Sequence, residues 1–161
     1  MAATLVDRNF RRYILTKNFF ISTNHSEEDK TMDTNKIEKL LTPEALQDIF
    51  PKERSDEFFD ALFGDASEGS YDINLALREI RGNNLTLDLE LHERPNCCLV
   101  CNLTQGLPQV FSRHPIINVN GVVNDVDKLL GETAGCKEWS LGYTEQRRKE
   151  MHVIPINITL G

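Results

Sequence analysis

Apolar residues recur along this chain with two periods, one helical and one extended, and the change comes at Tyr71. Ile37, Leu40 and Leu41 stand at i, i+3, i+4 behind Asp33-Thr34-Asn35, a helix-starting run. Thr42-Pro43-Glu44-Ala45 then offers an N-cap, a proline at the first helical position and an acid in the first turn. Leu46, Ile49 and Phe50 follow at helical spacing, and Pro51 stops that helix. A third helix is predicted from about Lys52 to Phe63, burying Phe58, Phe59, Leu62 and Phe63, with Gly64 closing it. The loop from Gly64 to Ser70 has the glycine spacing of a phosphate loop but no lysine, and its calcium-like start lacks the right glycine and distal Glu. It reads as a turn.

From Tyr71 the period becomes two. Tyr71, Ile73, Leu75 and Leu77 alternate with Asp72, Asn74, Ala76 and Arg78, and after an Arg81–Asn84 turn Leu85, Leu87, Leu89 and Leu91 alternate again. A third strand is predicted over Cys97–Leu103, with Leu91 facing Cys97 and Leu85 facing Leu103. Val110 and Phe111 fall in an irregular segment, and Ile116, Ile117 and Val119 suggest a short strand. Val122, Val126, Leu129 and Leu130 return to helical spacing before Gly131. The chain ends on a predicted hairpin pairing Trp139 with Ile156, Leu141 with Ile154 and Tyr143 with His152. Pro155 has no N–H to donate, which suggests that Ile154–Leu160 is an edge strand.

These elements make an α+β domain: N-terminal helices on one face of a five- to six-stranded antiparallel sheet, with one further helix before a C-terminal hairpin. The expected division is a single domain over residues 32–161, preceded by an extension, residues 1–31. That extension holds a basic amphipathic stretch, Asp7–Phe20, and a polar linker. A membrane-surface helix is one reading. An upstream start before Met32 is the simpler one, because the apolar face is short.

Charge narrows the partners. The formal net charge is −7. Residues 33–72 carry four Lys and Arg against eleven Asp and Glu, whereas residues 73–161 carry nine against ten. The acidity therefore belongs to the helical region. An acidic chain without a basic stripe is a poor phosphate neutraliser, so no nucleic-acid partner is expected. The longest apolar run is far short of a membrane span, and no basic–apolar–small cleavage pattern opens the chain. A cytoplasmic location, with the four cysteines reduced, is the expectation.

The cysteine cluster Cys97-Cys98-Leu99-Val100-Cys101 invites a metal or redox reading. On an extended strand Cys98 and Cys101 would point to opposite faces about 10 Å apart, too far for two thiolates at about 2.3 Å from one zinc. Leu-Val between them is poor turn chemistry, so buried small residues are the favoured reading. A thiol or zinc protein using Cys98, Cys101 and Cys136 stays as the weaker alternative. No nucleophile elbow, zinc-protease motif or phosphate loop is present.

The more promising group is polar and aromatic. Arg113 and His114 lie in a bend stiffened by Pro115, and the predicted hairpin would bring Tyr143 and His152 together with Trp139 nearby. Together they would form an anion-tolerant recess for a small acidic ligand or a partner carboxylate. The competing reading makes Trp139 core, His152 a satisfied edge residue and Arg113 one half of a surface ion pair. The expected function is a non-enzymatic binding or protein-interaction domain without a cofactor, self-associating as a homo-oligomer through its apolar edge. Binding of a small acidic ligand is the alternative.

Overall fold

A computed structural model describes residues 33–102 and 106–161, without the side chains of 101 and 102. The extension expected at residues 1–31 lies outside the described residues. Three short helices lead: α1 (Thr34–Leu40), α2 (Pro43–Ile49) and α3 (Glu53–Phe63). Each starts or stops where its capping chemistry dictates. The Asp33 carboxylate accepts the Lys36 N–H, the Thr42 hydroxyl accepts the Ala45 N–H, and Gly64 takes the left-handed conformation at φ 78°. In α3, Phe58 and Phe59 are buried, but Leu62 and Phe63 are 44% and 61% exposed, so the apolar face predicted for this helix is buried only along its first half.

Five strands then form one antiparallel sheet in the order β1-β2-β5-β3, with β4 also pairing with β5. They are β1 (Tyr71–Arg81), β2 (Asn84–Glu93), β3 (Cys136–Leu141), β4 (Glu145–Arg148) and β5 (Met151–Leu160). β1 and β2 pair in the hairpin that their alternation predicts, turning at Gly82, whose φ is 55°. The fold is α+β. Between β2 and β3 run α4 (Leu99–Asn102), α5 (Leu107–Arg113) and α6 (Val119–Leu130).

Three expectations are corrected. Of the strand expected over Cys97–Leu103, the described residues, 97–102, form a turn and a helix. Asn96 turns the chain with φ 64°, and the Glu93 carboxylate accepts the Leu99 N–H at 2.8 Å, opening α4. A negative group at a helix start is favourable twice over, through the hydrogen bond and the helix dipole. Residues 109–120 hold the end of α5, a turn at 114–118 and the start of α6, and no strand: Asn118, at φ 43°, caps α6 by accepting the Gly121 N–H. Val119 is thus the first residue of a helix and points into the core.

The third correction concerns β5, which lies inside the sheet. Its Ile158, Ile156, Ile154 and His152 face Leu85, Leu87, Leu89 and Leu91 of β2, taking the place expected for Cys97–Leu103. On its other side β3 pairs Trp139 with Ile158 and Leu141 with Ile156, two residues away from the expected register. The cause is β4, which draws Glu145–Arg148 into the ladder and leaves only Lys149 and Glu150 as the turn. Pro155 is accommodated by a gap instead of an edge. The β2 ladder uses the N–H groups of its neighbours, so the proline nitrogen faces the break between β3 and β4. There Gly142 donates its N–H to the Pro155 carbonyl at 2.8 Å. A Cβ on Gly142 would stand 2.6 Å from the proline ring.

One face of the sheet is apolar and joins the helices in a single core: Ile73, Leu75, Leu87, Leu89, Ile154 and Ile156 pack with Phe58, Phe111 and Val126. Each such side chain contributes about 1.5–3 kcal/mol when fully buried. The opposite face carries Asp72, Asn74, Thr86, Glu90, Asn157 and Thr159. Across it lies an ionic strap. Arg78 of β1 reaches over Asp88 of β2, at 2.7 Å, to Glu145 of β4, at 3.1 Å. Beneath the strap Val153 is 1% exposed, although it sits on the polar side.

Candidate functional site

The surface to examine is the outer side of α5. Leu107, Pro108 and Phe111 bury one stripe of this helix, which leaves Gln109, Val110 and Arg113 facing out. His114 ends the helix by donating its backbone N–H to the Val110 carbonyl at 2.9 Å, and its own backbone is extended (φ −74°, ψ 126°), as the following proline requires. Gln109, Val110, Arg113, His114 and Pro115 line one open concavity of about 360 Å³.

The imidazole is held from two sides. Its Nδ1 accepts the Ile116 N–H at 3.3 Å, and its ring meets Phe58 nearly edge-on, centroids 4.7 Å apart. Burial lowers its pKa, so the ring is neutral at neutral pH. With Nδ1 accepting, the proton sits on Nε2 and is free to be donated. Beside it the Arg113 guanidinium forms no ion pair or hydrogen bond among the described residues. Arg148 likewise forms no side-chain ion pair or hydrogen bond among the described residues, whereas Arg78 and Arg94 are engaged. Arg78 holds Asp88 and Glu145, while Arg94 binds Asp72, Asp56 and the Ala66 carbonyl and lies over the Phe59 ring. Val110, 42% exposed, adds an apolar contact next to the Arg113 cation. The arrangement offers a positive charge, a neutral N–H donor and an apolar patch, suited to a carboxylate on an apolar stem.

The other three residues of the expected recess do not line this concavity. Trp139 donates its indole N–H to Asn120 at 3.0 Å and fastens β3 to α6. Tyr143 is 84% exposed at the break between β3 and β4. His152 is 6% exposed on the core side of β5, opposite Leu91 and Gln146, and its Nε2 has no hydrogen-bond partner among the described residues. Burial lowers its pKa, with the charge of Glu93 opposing. The expected five-residue recess rested on the Tyr143–His152 pairing, and the two-residue shift of register removes it.

The cysteines are also rearranged. Cys98 is disulfide-bonded, contrary to the expectation of four reduced thiols. Cys97 and Cys136 are free, and the side chain of Cys101 lies outside the described residues. The strand spacing expected between Cys98 and Cys101 does not occur, since this segment is a turn and a helix. A disulfide sulfur, however, is no zinc thiolate. Cys136 sits on β3, where burial and the nearby Asp127 push its thiol up to about 11. No cluster of three or more metal-ligating side chains occurs among the described residues.

Sequence reasoning missed the polar residues that hold the frame. Arg94 joins α3, the loop after it and β1, and Arg78 spans the open sheet face. No local signal marked the second: the Gly82 turn by itself would set Leu77 opposite Asp88, and the bulge between Leu77 and Glu79 sets Ala76 there instead. No protein-family model, curated protein or solved structure matches the chain.

Proposed function

We propose that the chain is a binding domain, and that the α5 concavity receives a carboxylate-bearing segment of a protein partner. The observation that carries this reading is the Arg113 guanidinium, without a partner among the described residues, beside exposed Val110 and the neutral His114 ring. A guanidinium binds a carboxylate through two parallel N–H···O bonds. The His114 Nε2–H would supply a third donor, and Val110 and Pro115 would take the partner's apolar stem. The walls are open, so the site fits a segment laid across it better than an enclosed small ligand. A cation, an N–H donor and an apolar patch on an open surface are recognition chemistry.

Homodimerisation was expected from an apolar β5 edge. With β5 inside the sheet, that support is gone, and the carboxylate reading does not need it.

The test is chemical-shift mapping with acetylated Leu-Asp and Leu-Glu peptides and their Asn and Gln counterparts. The acidic peptides should move resonances of Gln109–Ile116, and the amide counterparts should not. Arg113→Gln should weaken binding at least tenfold, about 1.4 kcal/mol. Equal responses to acidic and amide peptides would sink the reading.

A further inference from the structure

We propose a second docking site, at the free edge of β1, that takes an extended polypeptide segment of another protein by main-chain pairing. It is independent of the α5 reading. In an antiparallel ladder, alternate residues direct both their N–H and C=O to the same neighbour. Ile73 spends both groups outward, since its N–H donates to the Ser55 hydroxyl at 2.8 Å and its carbonyl accepts from it at 3.4 Å. Asn74 and Ala76 therefore bond to β2, and Leu75 and Leu77 present their N–H and C=O away from it, as Ile73 does.

β1 ends the strand order, so no strand among the described residues covers those groups. Beside Leu75 the surface is hollowed into a concavity of about 230 Å³. Pro43, Gln47, Phe50 and Lys52 form its helical wall, and Asn74 and Glu90 its sheet wall. An unpaired strand edge in a groove is the setting in which a peptide adds as a further strand. The volume is below the roughly 300–1,000 Å³ of small-molecule clefts. It suits a few residues of extended chain.

Two observations argue for a peptide and against a second copy of this chain. Ser55 already occupies the Ile73 pair, so a partner strand cannot run on past it toward Tyr71. The register shifts between Leu77 and Glu79, so the even spacing of outward pairs ends there. Only the pairs at Leu75 and Leu77 remain in sequence, enough for a short segment and too few for two whole strands. Ser55 stands where a neighbouring backbone would, and the proposed ligand continues the same pattern by two residues.

Amide hydrogen exchange on the full chain provides the first test. Leu75 and Leu77 should exchange at least tenfold faster than Ile73, Asn74 and Ala76. Equal protection would mean that the edge is already filled and would overturn the proposal. The second test pans a phage-displayed library of random linear peptides against the full chain. Selected peptides should slow Leu75 exchange tenfold or more. They should lose binding to Gln47→Trp, which changes an exposed helical position and should leave the melting temperature unaltered. If Gln47→Trp proves unstable, Lys52→Trp blocks the same wall. No enriched peptide, enriched peptides that leave Leu75 unaffected, or a sedimenting dimer with Leu75 protected would each overturn it. Peptides captured by the α5 concavity are recognised by their loss in Arg113→Gln with Leu75 exchange unchanged.

Discussion

Removing the guanidinium of Arg78 should destabilise the fold in a pH-dependent way, because it would strand a buried carboxylate. The Asp88 side chain is 9% exposed and the Arg78 side chain 20%. Nε donates to Oδ2 at 2.8 Å; Oδ1 is 2.7 Å from Nη2 but off the line of a directed bond, so that oxygen gains Coulomb attraction without a hydrogen bond. Burial raises the pKa of Asp88, and the bonds and charge of Arg78 only partly oppose it. Arg78→Met keeps most of the stem over Val153 and takes away the charge. Breaking a buried pair from one side costs 3–5 kcal/mol. With Arg78 partly in water, about 2–3 kcal/mol is expected here, a fall of about 1–2 M in urea midpoint.

The sign with pH follows from the raised pKa. The folded state binds the Asp88 proton more readily than the unfolded state does, so the penalty is full above the folded pKa and fades as pH falls toward the unfolded value. Urea unfolding at pH 8 and pH 4.5 should therefore show a larger loss at pH 8. Arg78→Met with Asp88→Leu should recover most of it, since an apolar pair can replace an ionic one. A loss below about 0.5 kcal/mol, or one equal at both pH values, would refute the strap as described.

Other positions give independent checks. His152→Leu replaces an unpartnered buried Nε2 by carbon and should be neutral or stabilising by up to about 1 kcal/mol at pH 7.5; a loss above 2 kcal/mol in thermal unfolding would mean that the imidazole has a partner. Because burial lowers the folded pKa of His152 and His114, the unfolded state binds more protons as pH drops through about 6.5, and stability should fall in that window. The same variant should flatten part of that fall between pH 7.5 and 5.5. Ser55→Ala strips both outward groups of Ile73 of their partner and should cost about 1–2 kcal/mol, with faster exchange of the Ile73 amide; an unchanged amide would contradict the capping role. Gly69→Ala would drive a methyl into the Phe59 ring and within 2.8 Å of Arg94, and should cost about 1–3 kcal/mol by chemical denaturation. Wild-type stability there would show that the Arg94 staple is looser than its three bonds imply.

Much of the fold was legible because its signals are local. Thr42-Pro43, Gly64 and the Leu85–Leu91 alternation each specify their element within a few residues, and α1 to α3 and the β1–β2 hairpin follow. Cys97–Leu103 was misread because a short apolar run fits a strand or a buried helix equally, and the Glu93 cap that decides between them lies outside the run. The central place of β5 was not legible for a different reason. Its isoleucines match Leu85–Leu91 as well as they match Trp139 and Leu141, and it takes both partners. Pro155 suggested an edge, since nothing local revealed the Gly142 gap that admits its ring. The bend that holds Arg113 and His114 was legible from the proline beside them, whereas the grouping of Trp139, Tyr143 and His152 depended on a hairpin register that β4 shifts.

The most direct test of the carboxylate-binding account is a titration of the full chain with acetyl-Leu-Asp, read at the Arg113 side-chain Nε–H and the His114 Nε2–H. Both resonances should shift together and saturate, and acetyl-Leu-Asn at the same concentration should move neither. Shifts that are equal for the two peptides, or that survive Arg113→Gln, would contradict the account.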